Sequence, residues 1–268
     1  MRKIIFFIVF CAGVMISLHA QTVRYVTQSG AGNRSGTSWS DASDDIQLMI
    51  DDVEQQGGGQ VWVAKGTYRP SHHYGGIRNL QLVYPSPPYP GPYYHDIGLP
   101  FDAVREQSFV LKKDVEVYGG FAGWESNLSQ RDWIINETFL DGQISDNARC
   151  YHVVMSVGDV RNACLDGFII QGGYAFVVKP LPFPYDPEDP PMYDTDFGNN
   201  ILVAATQGGG IMINASSPRL ENLIVKYNEV NTHGGAISMS NSFSKLRNIE
   251  IHDNESGHHG GGMFINAS

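Results

Sequence analysis

Gly208-Gly209-Gly210-Ile211, Gly234-Gly235-Ala236-Ile237 and Gly260-Gly261-Gly262-Met263 are one phrase written three times, 26 residues apart each time. The text between the phrases repeats with the same step. Leu220-Glu221-Asn222-Leu223-Ile224-Val225 with Asn228 returns as Leu246-Arg247-Asn248-Ile249-Glu250-Ile251 with Asn254. A fixed period of this length marks a stack of similar structural units. Within each unit apolar residues stand two apart (Leu223 and Val225, Ile249 and Ile251), the alternation of a strand with one face turned inward. Helical repeats would need a 3.6-residue period, and this density of Gly, Asn and Ser disfavours helix. The pattern predicts an all-β chain built as a right-handed parallel β-helix, a solenoid of 26-residue coils. Residues one period apart then stack at about 4.8 Å, so Asn222 over Asn248 and Asn228 over Asn254 form amide ladders. The glycines fit turns that need positive φ. They do not form a phosphate loop, because no strand–loop–helix unit surrounds them.

Toward the N-terminus the same spacing is found in Leu165-Asp166-Gly167, Leu140-Asp141-Gly142, Val115-Glu116-Val117 and Val61-Trp62-Val63. Successive starts are separated by 54, 25, 25, 55 and 26 residues, which predicts six coils and the start of a seventh. Two coils then carry long extra segments. The first insertion, about 69–105, is rich in Pro and Tyr, including Tyr84, Tyr89, Tyr93 and Tyr94. The second, about 174–207, holds Phe183, Tyr185, Tyr193 and Phe197 beside Asp186, Glu188, Asp189, Asp194 and Asp196. Both leave the coil just after the apolar strand, which puts them on one side, three rungs or roughly 14 Å apart. There they would wall a groove of aromatic rings, good platforms for sugars. Tyr89, Tyr93, Tyr94, Tyr185 and Tyr193 are the candidate ligand-binding residues, and the alternative is that the rings only pack the long loops down. The acidic cluster is the one place to consider calcium, but its carboxylates alternate with prolines and match no known loop spacing, so no cofactor is expected.

An open end of such a stack exposes apolar side chains and unpaired strand edges, so something must cover it. From Asp44 to Gln56 the residues Ile46, Met49, Ile50 and Val53 fall at i, i+3, i+4 and i+7, an amphipathic helix that stops at Gly57-Gly58-Gly59. This helix is the predicted lid of a cap over 21–59, with coils from 60 to 268. The last coil begins at Gly260 and breaks off at Ser268, so the chain is expected to be the front of a longer protein anchored elsewhere.

The first twenty residues, with Arg2 and Lys3 before an apolar run from Ile4 to Leu18 and a small residue at Ala20, fit a cleavable export signal. The apolar run is too short for a transmembrane helix. The net charge of −10 becomes more negative when Arg2 and Lys3 leave, which argues against nucleic acid as a partner. Cys150 and Cys164 remain in an oxidising compartment, where a bond between them is allowed and two buried thiols are the alternative. No Cys/His set has zinc spacing, and His72-His73 and His258-His259 are adjacent pairs whose side chains diverge on an extended chain.

Thr37-Ser38-Trp39, the lid helix and Gln60-Val61-Trp62-Val63-Ala64-Lys65-Gly66-Thr67-Tyr68 together resemble the N-terminal cap and first coil of the pectin-lyase-like β-helix superfamily. The unit Gly234-Gly235-Ala236-Ile237 resembles the repeat of the polymorphic outer-membrane protein family. That family alternates it with Phe-x-x-Asn, represented here by Val225-Lys226-Tyr227-Asn228 and Ile251-His252-Asp253-Asn254. The resemblance implies a protein outside the cell or on its surface, with either of two roles unless it is a rigid spacer that takes no ligand. One is a scaffold that presents loops for adhesion or for binding a polysaccharide, a cell-surface glycan or a protein. The other is a polysaccharide lyase or glycoside hydrolase, which needs paired carboxylates on adjacent rungs. Only Asp141 and Asp166, in the shared Leu-Asp-Gly phrase, meet that description, and each sits beside a Gly, where Asp is a common turn former. The expected outward strand positions, including Lys226, Glu250 and His252, give no convergent catalytic set.

Overall fold

A computed structural model describes residues 21–72, 105–176 and 206–266 in full, and the backbone of 78–83, 93–96, 103–104, 192–194 and 202–204. The chain is an all-β molecule with one α-helix among the described residues. Its largest sheet has nine strands, and every pairing in it is parallel. From one edge the order runs Thr22–Val26, Gly59–Ala64, Val115–Phe121, Cys164–Asp166, Arg219–Lys226 and Lys245–His252. Arg219–Lys226 is long and bends at Asn222, whose φ is +51°. Its second half pairs with Ile169–Gln171, which continues through Thr138–Asp141 to Gly66–Tyr68. The sheet therefore curls around the core.

A five-stranded parallel sheet runs Phe109–Val110, Val154–Val157, Ile211–Asn214, Ile237–Ser240 and Met263–Asn266. A short three-stranded sheet holds Tyr174–Ala175, Glu229–Val230 and Glu255–Ser256. Strands within the last third pair at a step of 26 residues: Leu220 faces Leu246, Ile211 faces Ile237, and Glu229 faces Glu255. Register thus stacks like on like. Val61, Val117, Leu165 and Leu220 form one buried column, and Tyr68, Leu140, Ile170 and Val225 another. Each such side chain contributes about 1.5–3 kcal/mol by burial.

Both amide ladders form. Asn248 Nδ2 donates to Asn222 Oδ1 at 2.8 Å, and Asn228 Nδ2 to Asn254 Oδ1 at 3.0 Å. Asn228 is fully buried and also accepts from the Gly173 N–H and donates to the carbonyls of Ile170 and Lys226.

The helix spans Ile46–Gln55, capped by Asp45, whose side chain accepts from the Leu48 N–H. It buries Ile46, Met49, Ile50 and Val53 in the core as the apolar spacing requires. Gln47, a polar residue buried just as deeply, was not anticipated. Its amide donates to the Val110 carbonyl (3.2 Å) and accepts from the Val110 N–H (2.8 Å). One side chain thereby stands in for a neighbouring strand at the edge of the five-stranded sheet. After the helix the chain must pass close to the first strand. A Cβ on Gly59 (φ +152°) would meet the Thr22 carbonyl oxygen at 2.2 Å.

Two expectations are corrected. Leu140-Asp141 and Leu165-Asp166 are not equivalent: Leu140 lies beside Tyr68 and Ile170, whereas Leu165 lies beside Val117 and Leu220. Val154–Val157 of the five-stranded sheet lies between them in the chain. Val115–Phe121 and Cys164–Asp166 pair directly, so the two 25-residue gaps together span a single step of the sheet, lengthened by an unforeseen excursion, residues 122–137, between Val115–Phe121 and Thr138–Asp141. Glu125 holds its start by accepting the N–H groups of Ala122, Gly123 and Trp124. Thr22–Val26, at the start of the expected cap, is itself a strand of the main sheet.

Candidate ligand-binding face

The two insertions meet. Arg78–Val83 and Tyr93–Asp96 from the first join Met192–Asp194 and Leu202–Ala204 from the second in a four-stranded antiparallel sheet. Asn79 is in register with Tyr193, Leu82 with Tyr94 and Val83 with Tyr93, so three of the five expected tyrosines share one sheet. Tyr89 and Tyr185 lie outside the described residues, as do residues 1–20. The insertions leave after Gly66–Tyr68 and Ile169–Gln171, which have only Thr138–Asp141 between them. Their roots are therefore two strand spacings apart, roughly 10 Å rather than 14 Å.

Two arginines lock these roots in place. Arg105, on the return of the first insertion, donates to the carbonyls of Arg149, Tyr174 and Phe176 and lies 4.1 Å from the Tyr151 ring centroid. Arg149 donates to the carbonyls of Gly172 and Gly173 and pairs with Glu229 at 2.8 Å. Its guanidinium lies 4.8 Å from the Tyr174 ring, which stacks on Phe176 at 4.6 Å. The result is an aromatic platform on a rigid base, with both guanidinium groups committed to protein. No sequence motif marks it, because its members come from four separate stretches of chain. The Pro- and Tyr-rich composition pointed only to the neighbourhood.

The catalytic candidates do not converge. Asp166 is buried, paired with Arg131 at 2.6 Å, and accepts from Asn222 Nδ2 at 2.7 Å, which makes it the foot of the first amide ladder. Asp141 closes a turn by accepting the Gln143 N–H at 2.9 Å. In register Asp141 lies beside Gln171, and Asp166 beside Tyr118 and Glu221. The outer face carries a ladder of alternating sign, Glu116–Arg219–Glu221–Arg247, with contacts of 2.5, 3.6 and 2.6 Å. Cys150 and Cys164 are free buried thiols, each pushed up to about 12 by burial. Buried His152 is lowered to about 4 by loss of hydration, against the opposing effect of its hydrogen bond to the Gly208 carbonyl at 2.9 Å.

A cleft of about 500 Å³, bordered by Gln21, Gln56, Asp114, Glu116 and Asn162, is polar and has no aromatic wall. No helix of the described residues is long and apolar enough to cross a membrane.

Fold and site thus define an all-β protein of stacked parallel sheets with an accessory sheet on one side. Compared with known proteins, the chain matches no family model, no curated protein and no solved structure.

Proposed function

We propose that this chain is an exported right-handed parallel β-helix of the pectin-lyase-like kind that presents its two insertions as a surface for adhesion or glycan binding. The observation that carries the reading is the joining of the insertions. Two segments more than a hundred residues apart share one antiparallel sheet whose strands include Tyr93, Tyr94 and Tyr193. The parallel register at a 26-residue step supports the solenoid. Charge narrows the ligand. The insertions, residues 69–105 and 174–207, carry seven carboxylates against four cations, and two of the nearby guanidinium groups are already spent on protein. A polyuronate would be repelled, so the fitting ligand is a neutral glycan.

The test is a polysaccharide panel read by binding, with assays for new reducing ends and unsaturated products run beside it. Binding to neutral glycans without products, weakened by Tyr93→Ala or Tyr193→Ala and unaltered by Asp141→Asn, supports the proposal. New ends or unsaturated sugars would replace it with a polysaccharide-active enzyme.

A further inference from the structure

His233, His258 and His259 gather where two successive repeats meet. His233 and His259 stand 26 positions apart and bridge as parallel partners. The ring centroids are 5.3 Å apart for His233 and His259, 6.2 Å for His233 and His258, and 6.3 Å for His258 and His259. Phe264 lies over His233 at 4.5 Å. The backbone bonds joining the repeats run through the same place: His258 and His259 N–H donate to the Thr232 carbonyl, and Gly234 N–H to the His259 carbonyl.

His233 Nδ1 is enclosed and has no hydrogen-bond partner. Among the described residues no group of three or more His, Cys, Asp or Glu is arranged to hold a metal ion, so the chemistry left to this cluster is that of protons. A neutral imidazole can leave a lone pair at Nδ1. An imidazolium must place a charged N–H there, with no acceptor and beside two further imidazole rings. From the preceding repeat the Gly208 N–H donates to the His233 carbonyl and the Thr206 carbonyl accepts from the neighbouring Thr232 N–H, and neither residue carries charge. From the following repeat come His258 and His259, and from Met263–Asn266 the uncharged Phe264. Burial, then His259 and His258, lower the His233 pKa.

We propose that these three histidines form a proton-operated clasp between the repeats that begin at Arg219 and Lys245, closed while they are neutral and loosened as they charge. A histidine whose folded pKa lies below its unfolded value contributes stability above about pH 6.5 that is lost as pH falls. Loosening frees the pairing of Ile237–Ser240 with Met263–Asn266 while the rest of the stack stays closed.

Amide hydrogen exchange of the full chain at pH 7.5 and 5.5, corrected for intrinsic rates and run with a chelator, tests this. Protection across 233–240 and 257–266 should fall at the lower pH roughly tenfold further than across 59–64 and 115–121. Replacing His258 and His259 together (His258→Gln, His259→Gln) should shrink that excess, and His233→Gln, which removes the enclosed imidazole, should abolish it. A uniform fall along the chain, or an excess that survives His233→Gln, overturns the proposal. Ring-proton titration by NMR gives a second check, since His233 must titrate below both neighbours, and titration at or above His258 refutes the clasp.

Discussion

Asp166 and Asp141 follow identical Leu-Asp-Gly text yet do different work. Asp166→Asn strips the partner from buried Arg131 and weakens the foot of the amide ladder, so urea unfolding should show a loss of about 3–5 kcal/mol. Asp141→Asn keeps its turn-closing acceptor and should stay within about 0.5 kcal/mol of the parent. His152 gives the whole fold a pH dependence of its own. Its folded pKa of about 4 lies below the ordinary histidine value of about 6.5, so the unfolded chain takes up the proton first as pH falls. Up to about 3 kcal/mol present above pH 6.5 is lost on the way to pH 4, and His152→Gln should flatten that part of the stability–pH curve. At this scale the ladders were legible because Asn222 and Asn248 repeat at the period of the stack. The Asp166 partner was not, because Arg131 sits in an excursion with no periodicity to announce it.

The lid helix was readable at the level of its apolar face, Ile46, Met49, Ile50 and Val53. The edge mimicry of Gln47 was not, since a polar residue beside an apolar stripe ordinarily faces water. Gln47→Ala should leave the N–H and C=O of Val110 without partners and lower stability by about 2–4 kcal/mol in denaturant melts. That is more than a surface alanine in a helix would cost. Strand spacing misled in one stretch for a related reason. Leu140 and Leu165 satisfy the same alternation, and only pairing partners reveal that they belong to different columns of the curled sheet. Alternation reports an inward face; it does not report which face.

Across the whole molecule, the common phase of the insertions could be read from where they leave the strands, but their shared sheet could not. Asn79 and Tyr193 are distant in sequence and belong to no repeated pattern. Arg149 fastens both the departing second insertion and the next repeat. Arg149→Ala should therefore speed protease cleavage within 177–205 severalfold while cleavage within 115–121 is unchanged, as read by timed digestion and mass spectrometry. The accessory sheet also has a mechanical consequence. It splints the two turns of chain that flank Thr138–Asp141, on one flank of the stack alone. Bending that opens this flank must load the antiparallel bonds between Arg78–Val83 and Met192–Asp194, which tie the two insertions together. The stack is thus an asymmetric beam, stiffest against the deformation that would pull the two insertions apart.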